Sequence, residues 1–278
     1  MHHGTSQNTE AMRRPTTPVR NSYFYGKLLD VFHFELEQTY FNQKRWLINR
    51  LALGYGVICG LKVTPANDGT GRVRVQPGVA LDKWGREIIV AEPSRPIDPS
   101  VLTDACGQPL PPASAHAYEA PLPTPMPTPT PTPPPERCVH LCIAYHECPS
   151  ELAPVMTGEC GTEQQCQPGV IREQYSILVR PGRAPLLPRL TCSEALDGLF
   201  DSNTINYESL VEWTLRGCQW GGEDPCIVLA NVSLPDDGCG LNQNGIDMNV
   251  RPIVFTNQLL REMILCLAER CGILIDFE

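Results

Sequence analysis

The sequence predicts an α+β fold: a mainly antiparallel β-sheet with a long N-terminal helix, a C-terminal amphipathic helix and a Pro-Thr-rich insertion between the two halves. Three observations carry this. Apolar residues recur at helical spacing between residues 30 and 54, the period changes to two from Val57 onward, and helical spacing returns between residues 256 and 272.

Residues 1–20 are polar and proline-containing and read as a flexible arm. In the helix that follows, Leu36, Tyr40, Leu47 and Leu51 form one stripe, broadened by Phe41 and Ile48. Asp30 is placed as its N-cap and Gly54 as the residue that stops it. Asp30, Glu35 and Glu37 lie early and Lys44, Arg45 and Arg50 late, which complements the helix dipole. Phe41, Trp46 and Ile48 leave two readings open: one core takes them all, or they form a second, partner-facing side.

The stretch LGYGVICGLKV tests a phosphate-binding role. A dinucleotide fingerprint needs G-x-G-x-x-G between a strand and a helix. Here Gly54, Gly56 and Gly60 are spaced G-x-G-x-x-x-G and lead from a helix into a strand, so no helix N-terminus faces them. They read as a corner in which backbone segments approach closely. Beyond it, VICGLKV and RVRVQ read as strands, and VALDKWGREIIV as a hairpin turning at Asp82 to Gly85 with Leu81 and Ile88 inward. Turn chemistry accounts for Asp82 and Gly85; Arg86 and Glu87 are expected to be exposed.

Residues 106–136, ending in APLPTPMPTPTPTPPPER, cannot form a strand ladder and favour polyproline II. Pro121 to Pro135 would reach about 45 Å as a semi-rigid spacer, either a domain linker or an inserted loop. The units are therefore 21–105 and 137–278, which either share one sheet or do not. In the second, CVHLCIAYHEC is a strand with Val139, Leu141, Ile143 and Tyr145 on one side. GVIREQYSILV is its antiparallel partner, with Tyr175, Ile177 and Val179. A short helix (TINYESLVEWTLRG), a buried strand (CIVLANVSL) and the closing helix follow; the last presents Leu259, Leu260, Met263, Ile264 and Leu267 on one face.

Composition narrows the function. The 278 residues carry a formal charge of −9 without a basic run, so the footprint for nucleic acid is missing. No apolar run is long enough for direct membrane insertion, and the start lacks the apolar core of a secretory signal. The expected place of synthesis is a reducing cytoplasm, where thiols stay reduced. Thirteen cysteines is an odd number, which leaves at least one unpaired within the chain. Cys148, Cys160 and Cys166, placed in the loop between the paired strands, are metal candidates together with His146. Cys138 and Cys142 would lie about 13 Å apart along a strand, whereas thiolates on one zinc lie about 4 Å apart. Three readings stay open for the loop: a structural zinc, disulfides formed after release, or unpaired thiols. Cys218 and Cys226 bracket another loop and fit the disulfide reading equally. There is no H-E-x-x-H, Walker loop or G-x-S-x-G elbow, and Glu35 and Glu37 point to different faces of their helix. No catalytic residue and no cofactor is assigned; the chain is read as not an enzyme.

Several segments together resemble a known family. A Y-F-x-G-K-L-L-like segment (Tyr23 to Leu29), an E-x-E-Q-x-Y helix (Glu35 to Tyr40), the N-R-L to C-G-L corner (Asn49 to Leu61) and P-G-x-A-L-D-x-x-G-R-E-I (Pro77 to Ile88) are similar to a family of phage-tail-like contractile injection system loci. AYHECP, IREQY (Ile171 to Tyr175) and the RPIV and LLREM segments extend the likeness. The resemblance implies an accessory structural component in or around the baseplate and spike, cage-like or decorating. It also implies neighbouring particle subunits as partners, a symmetric homo-oligomer, and a particle that is released or membrane-anchored. Two alternatives stand beside it. One is a target-surface module binding a glycan or receptor through loops 148–168 or 234–245, with Tyr118 and Trp220 as aromatics. The other is a metal-dependent hydrolase built on the Cys/His cluster.

Overall fold

The computed structural model describes residues 17–104, 108–110, 138–154, 166–187, 200–201, 204–218, 222, 224–234 and 243–270. Over these the chain is a mixed α/β protein with antiparallel sheets and three helices. The Pro-Thr tract, Cys160, Tyr118, Trp220 and most of 234–245 lie outside the described residues. No helix among the described residues is long and apolar enough to cross a membrane.

Helix α1 (Val31–Ile48) starts where the capping residue predicts: the Asp30 side chain accepts from His33 N–H, and Asp30 N–H donates to His33 Nδ1. Its last turn widens into a π-helical turn (Asn49–Leu53), because Gly54 N–H bonds five residues back to the Asn49 carbonyl at 3.1 Å. Gly54 then ends the winding at φ 80°.

Period-two sequence follows as five short strands: β1 (Gly56–Gly60), β2 (Val63–Pro65), β3 (Val73–Val75), β4 (Gly78–Leu81) and β5 (Glu87–Val90). The stretch expected as one strand, VICGLKV, is two, broken at fully buried Leu61 with φ 52°. Strands β1, β4 and β5 form one antiparallel sheet, and β2 pairs with β3. The glycine corner is a close approach: a Cβ at Gly56 would lie 2.6 Å from the Pro252 carbonyl, and one at Gly60 2.2 Å from that of Pro77.

Strands β6 (Cys138–Pro154) and β7 (Cys166–Pro181) form a long antiparallel ribbon in which Tyr145 faces Tyr175. This corrects the placing of Cys148 and Cys166 in a loop: the pairing continues through both, from His140 opposite Arg180 to Pro154 opposite Cys166. The minimal strand β8 (Phe200–Asp201) pairs with β9 (Thr204–Ile205), and helix α2 (Tyr207–Thr214) follows. Strand β10 (Ile227–Ser233) covers β6 only from Cys138 to Ile143 and is flanked by β11 (Ile246–Asp247). Outward of Ile143 the ribbon runs on as two strands, and residues 166–174 of β7 are exposed.

Among the described residues the two halves share no strand ladder beyond an isolated parallel bridge of Val57 with Ile253, yet they close one core. Val63, Val75 and Ile88 from the first half pack in the same cluster as Leu141, Ile143 and Leu229 from the second. Arg251 ties them together: its guanidinium donates to the carbonyls of Leu229 (3.1 Å), Gly60 (3.3 Å) and Leu61 (3.1 Å). Arg251→Met keeps the apolar stem and leaves three carbonyls without this donor, so it is expected to lower stability by about 2 kcal/mol, read from urea unfolding. Helix α3 (Asn257–Arg270) has the predicted stripe but buries no residue; Leu260, Met263, Ile264 and Leu267 are all exposed.

Candidate functional site: an exposed aromatic strip and a buried thiol pair

Hydrophobic exposure concentrates at the N-terminal end of the described chain. A turn at Gly26, closed by Lys27 N–H on the Phe24 carbonyl at 3.2 Å, and a hydrogen bond from the Tyr23 hydroxyl to Glu37 lay residues 23–29 beside α1. Their rings nevertheless point away from the chain: Phe24 is 68% exposed, and Tyr25 and Leu28 more so. Phe34, Phe41 and Ile48 are seven residues apart, hence on one side of α1, and all are more than half exposed. Trp46 turns the other way and is buried at the tip of the β4–β5 hairpin, so of the three residues singled out for a partner it is the one that serves the chain's own packing. Arg45 pairs with Glu87 at 3.1 Å, and the Asn49 amide donates to the Gly85 carbonyl and to Glu87, which fixes this orientation. Exposed apolar side chains clustered in this way mark interaction sites.

The hairpin tip departs from the sequence reading. Asp82 is fully buried, and Arg86, expected to be exposed, is nearly so. The Asp82 carboxylate accepts from the backbone N–H groups of Trp84 and Arg86 at 2.8 Å each and from Arg86 Nε at 2.6 Å. The guanidinium lies 4.6 Å from the ring centres of both Trp84 and Tyr145, sandwiched between them. Burial pushes the Asp82 carboxyl above the usual carboxylate range, against the pull of Arg86 and the two N–H donors. The turn signature gave the hairpin, but Tyr145, half of the aromatic clamp, comes from a distant strand.

The expected metal set is not assembled by its described members. His146 is exposed on β6; Cys148 faces Arg172 and Cys166 faces Pro154, which puts the two cysteines about 20 Å apart along the ribbon. Among the described residues no three His, Cys, Asp or Glu side chains group as metal ligands. Cys218 is exposed and Cys226 buried, and the neighbour of Cys226 is not Cys218 but Cys142.

That neighbour belongs to the face of β6 turned away from the main core, where Cys138, His140 and Cys142 alternate with Val139, Leu141 and Ile143. Val228 lies opposite Cys142, so Cys226, two residues earlier, is its diagonal neighbour on the same face. The two cysteines and Leu178 form a separate buried cluster, with Ala144 and Val228 against it. His140 Nδ1 lies 2.9 Å from the Gly182 carbonyl. Arg180, facing His140 across the ladder, holds Asp224 with both terminal nitrogens, and Asp224 accepts the Cys226 N–H at 3.1 Å. The neighbouring Cys226 thiol, with His140 and Arg180 adding to it against burial, lowers the Cys142 thiol to about 6. The same contact and burial push Cys226 up, and the contact with Cys142 raises His140. Sequence spacing missed the pair because no local motif joins residues so distant; the only signal was the alternation Cys138, His140, Cys142 on one strand face. Compared with known proteins, the chain matches no family model and no curated relative.

Proposed function

We propose that the chain is a non-enzymatic structural subunit of a phage-tail-like contractile injection particle, assembled in or around its baseplate and spike through the aromatic strip. The observation that carries this reading is the outward display of Phe24, Tyr25, Leu28, Phe34 and Phe41 on a segment whose helix is held at its C-terminal end to the β4–β5 hairpin tip by Trp46, Arg45 and Asn49. A chain that displays an apolar strip in the open is suited to bury it on a neighbour. The same segment contains two of the stretches that resemble the injection-particle family, Tyr23 to Leu29 and Glu35 to Tyr40. The neighbours are particle subunits, in a symmetric arrangement of copies, and the acidic charge leaves nucleic acid out.

A second reading, recognition of a target surface, rests on the two-stranded outer part of the β6–β7 ribbon, with exposed Leu152 and Ile171. One experiment separates the two. Contractile particles are purified from strains carrying the native gene, no gene, the triple change Phe24→Ser, Tyr25→Ser, Phe41→Ser, or a ribbon shortened beyond Tyr145 and Tyr175. The assembly reading expects the chain as a stoichiometric layer near the baseplate. The triple variant should be lost from particles at least tenfold while its urea midpoint stays that of the native chain, because the three rings are exposed. Particles that never contain the chain would end this reading. Incorporation of the shortened ribbon with loss of attachment to target cells would establish the second.

A further inference from the structure

We infer that Cys142 and Cys226 are a redox pair that closes to a disulfide with a peroxide as oxidant, stapling β10 to β6. The inference is independent of the particle assignment. The two thiols share one buried cluster, at 1% and 4% exposure, and among the described cysteines they are the two buried together, whereas Cys59, Cys166, Cys218 and Cys266 are exposed. The register makes them diagonal rather than directly opposed, which leaves their Cβ atoms farther apart than the about 4 Å a disulfide needs. The missing distance, about 3 Å for a diagonal pair, has to come from Cys226. It precedes the first ladder pair, Ile227 with Ile143, and its N–H is held by the Asp224 carboxylate rather than by the sheet. A short shift of residues 224–226 therefore suffices, with the Arg180–Asp224 pair acting as the tether that sets the reduced position.

The surroundings supply the chemistry. His140 stands beside Cys142 and takes its proton, and Arg180 favours the thiolate. The Cys142 sulfur attacks one oxygen of hydrogen peroxide: an S–O bond forms, the O–O bond breaks, and the departing hydroxide takes the proton from His140 and leaves as water. The Cys226 sulfur then attacks the Cys142 sulfur of the sulfenic acid; the S–S bond forms, the S–O bond breaks, and the hydroxyl leaves as a second water with the Cys226 proton. Two thiols and one peroxide give one disulfide and two waters, with two electrons passed from sulfur to oxygen. Access favours this oxidant: a small neutral molecule reaches a 1%-exposed sulfur where a protein or peptide disulfide is excluded.

The test uses the full reduced chain, exposed to increasing hydrogen peroxide, unfolded in the presence of an alkylating reagent and mapped by peptide mass. The expected result is a linked Cys142–Cys226 peptide, two hydrogens lighter than the sum of its reduced parts, forming at lower peroxide than any other cysteine modification. It should vanish on reduction, and the oxidised chain should show a higher urea midpoint that returns to the native value with reductant. In Cys226→Ser, Cys142 should accumulate as sulfenic acid captured by a dimedone probe. His140→Gln should slow closure several-fold and flatten its dependence on pH, an effect that a merely structural role would not have. The inference is overturned if Cys142 and Cys226 are both recovered alkylated while the exposed thiols oxidise, or if Cys226 is found linked to Cys218. The native chain alone decides between these outcomes, so a folding defect in a variant leaves the answer intact.

Discussion

Replacing Arg86 with alanine lowers the unfolding free energy by about 3 kcal/mol at neutral pH, the cost of leaving a fully buried carboxylate without its bonded guanidinium and with only the more distant charge of Arg50. Asp82 has no exposed surface and Arg86 keeps about a tenth of its side chain in contact with solvent, so neither charge is screened by water. Two N–H groups still reach Asp82 in the variant, from Trp84 and residue 86, but neither neutralises it. The loss also empties the slot between Trp84 and Tyr145, which joins the hairpin of one half to the ribbon of the other. Arg86→Lys should recover only part of the deficit, because an ammonium cannot stack on both rings while bonding the carboxylate. The double change Asp82→Asn, Arg86→Met should be more stable than Arg86→Ala alone, since it removes the orphaned charge and refills the slot.

The pH dependence gives a second reading of the same site. The folded carboxyl of Asp82 lies above its unfolded value, so the folded chain binds that proton more tightly. The associated stability is complete below the ordinary carboxylate value and is lost as pH rises through the folded value. In Arg86→Ala the pull that opposes burial disappears, the folded value climbs further, and the window extends upward. The gap between native chain and variant should therefore be larger at about pH 7 than at about pH 5 in urea unfolding. An equal gap at both would mean that the variant lets water in and solvates Asp82, and that the pair contributes packing rather than charge.

Whether a feature was legible in the sequence follows from whether its cause is local. Asp30 as cap, Gly54 as stop, the turn from Asp82 to Gly85 and the inward row Val139, Leu141, Ile143 all depend on neighbours within a few residues, and the structure has them as read. The length of the β6–β7 ribbon was not legible: the strand was read to end near Cys148, whereas Pro149 and Pro154, residues disfavoured inside a sheet, are tolerated where the ribbon lacks a third strand. That withdrew Cys148 and Cys166 from the expected loop. The thiol pair and the Arg86 clamp rest on contacts between distant strands, which no spacing rule reports. The stripe on α3 was visible as periodicity, and on α1 so were Phe41 and Ile48 but not Phe34; periodicity marks an apolar face without saying whether the chain itself covers it.

Gly85→Ala is expected to cost about 4 kcal/mol, and to do so by unseating α1. A Cβ at this position would lie 2.1 Å from the Trp46 carbonyl oxygen and 2.8 Å from its carbon, and both are helix backbone that cannot rotate away. The residue also sits at φ 89°, which an alanine adopts only under strain. Strain of about 1–3 kcal/mol adds to an overpacking cost of similar size. Relief requires the helix to lift, which takes Trp46 out of its site and breaks the Asn49 contacts to the Gly85 carbonyl and Glu87. Gly26→Ala is the matched control: φ is 84°, but nothing lies within 4 Å of the added carbon, so only strain of about 1 kcal/mol remains. Urea unfolding compares the two, and amide exchange locates the damage, with faster exchange expected across residues 31–53 in Gly85→Ala while β6 and β10 stay protected. Because the aromatic strip rides on this helix, incorporation into particles should fall in Gly85→Ala although every exposed ring is retained. Equal stability of the two alanine variants would show that α1 is not held by backbone contact at the hairpin tip. The outward presentation of Phe34, Phe41 and Ile48 would then not depend on this contact, and the assembly proposal would lose its main support.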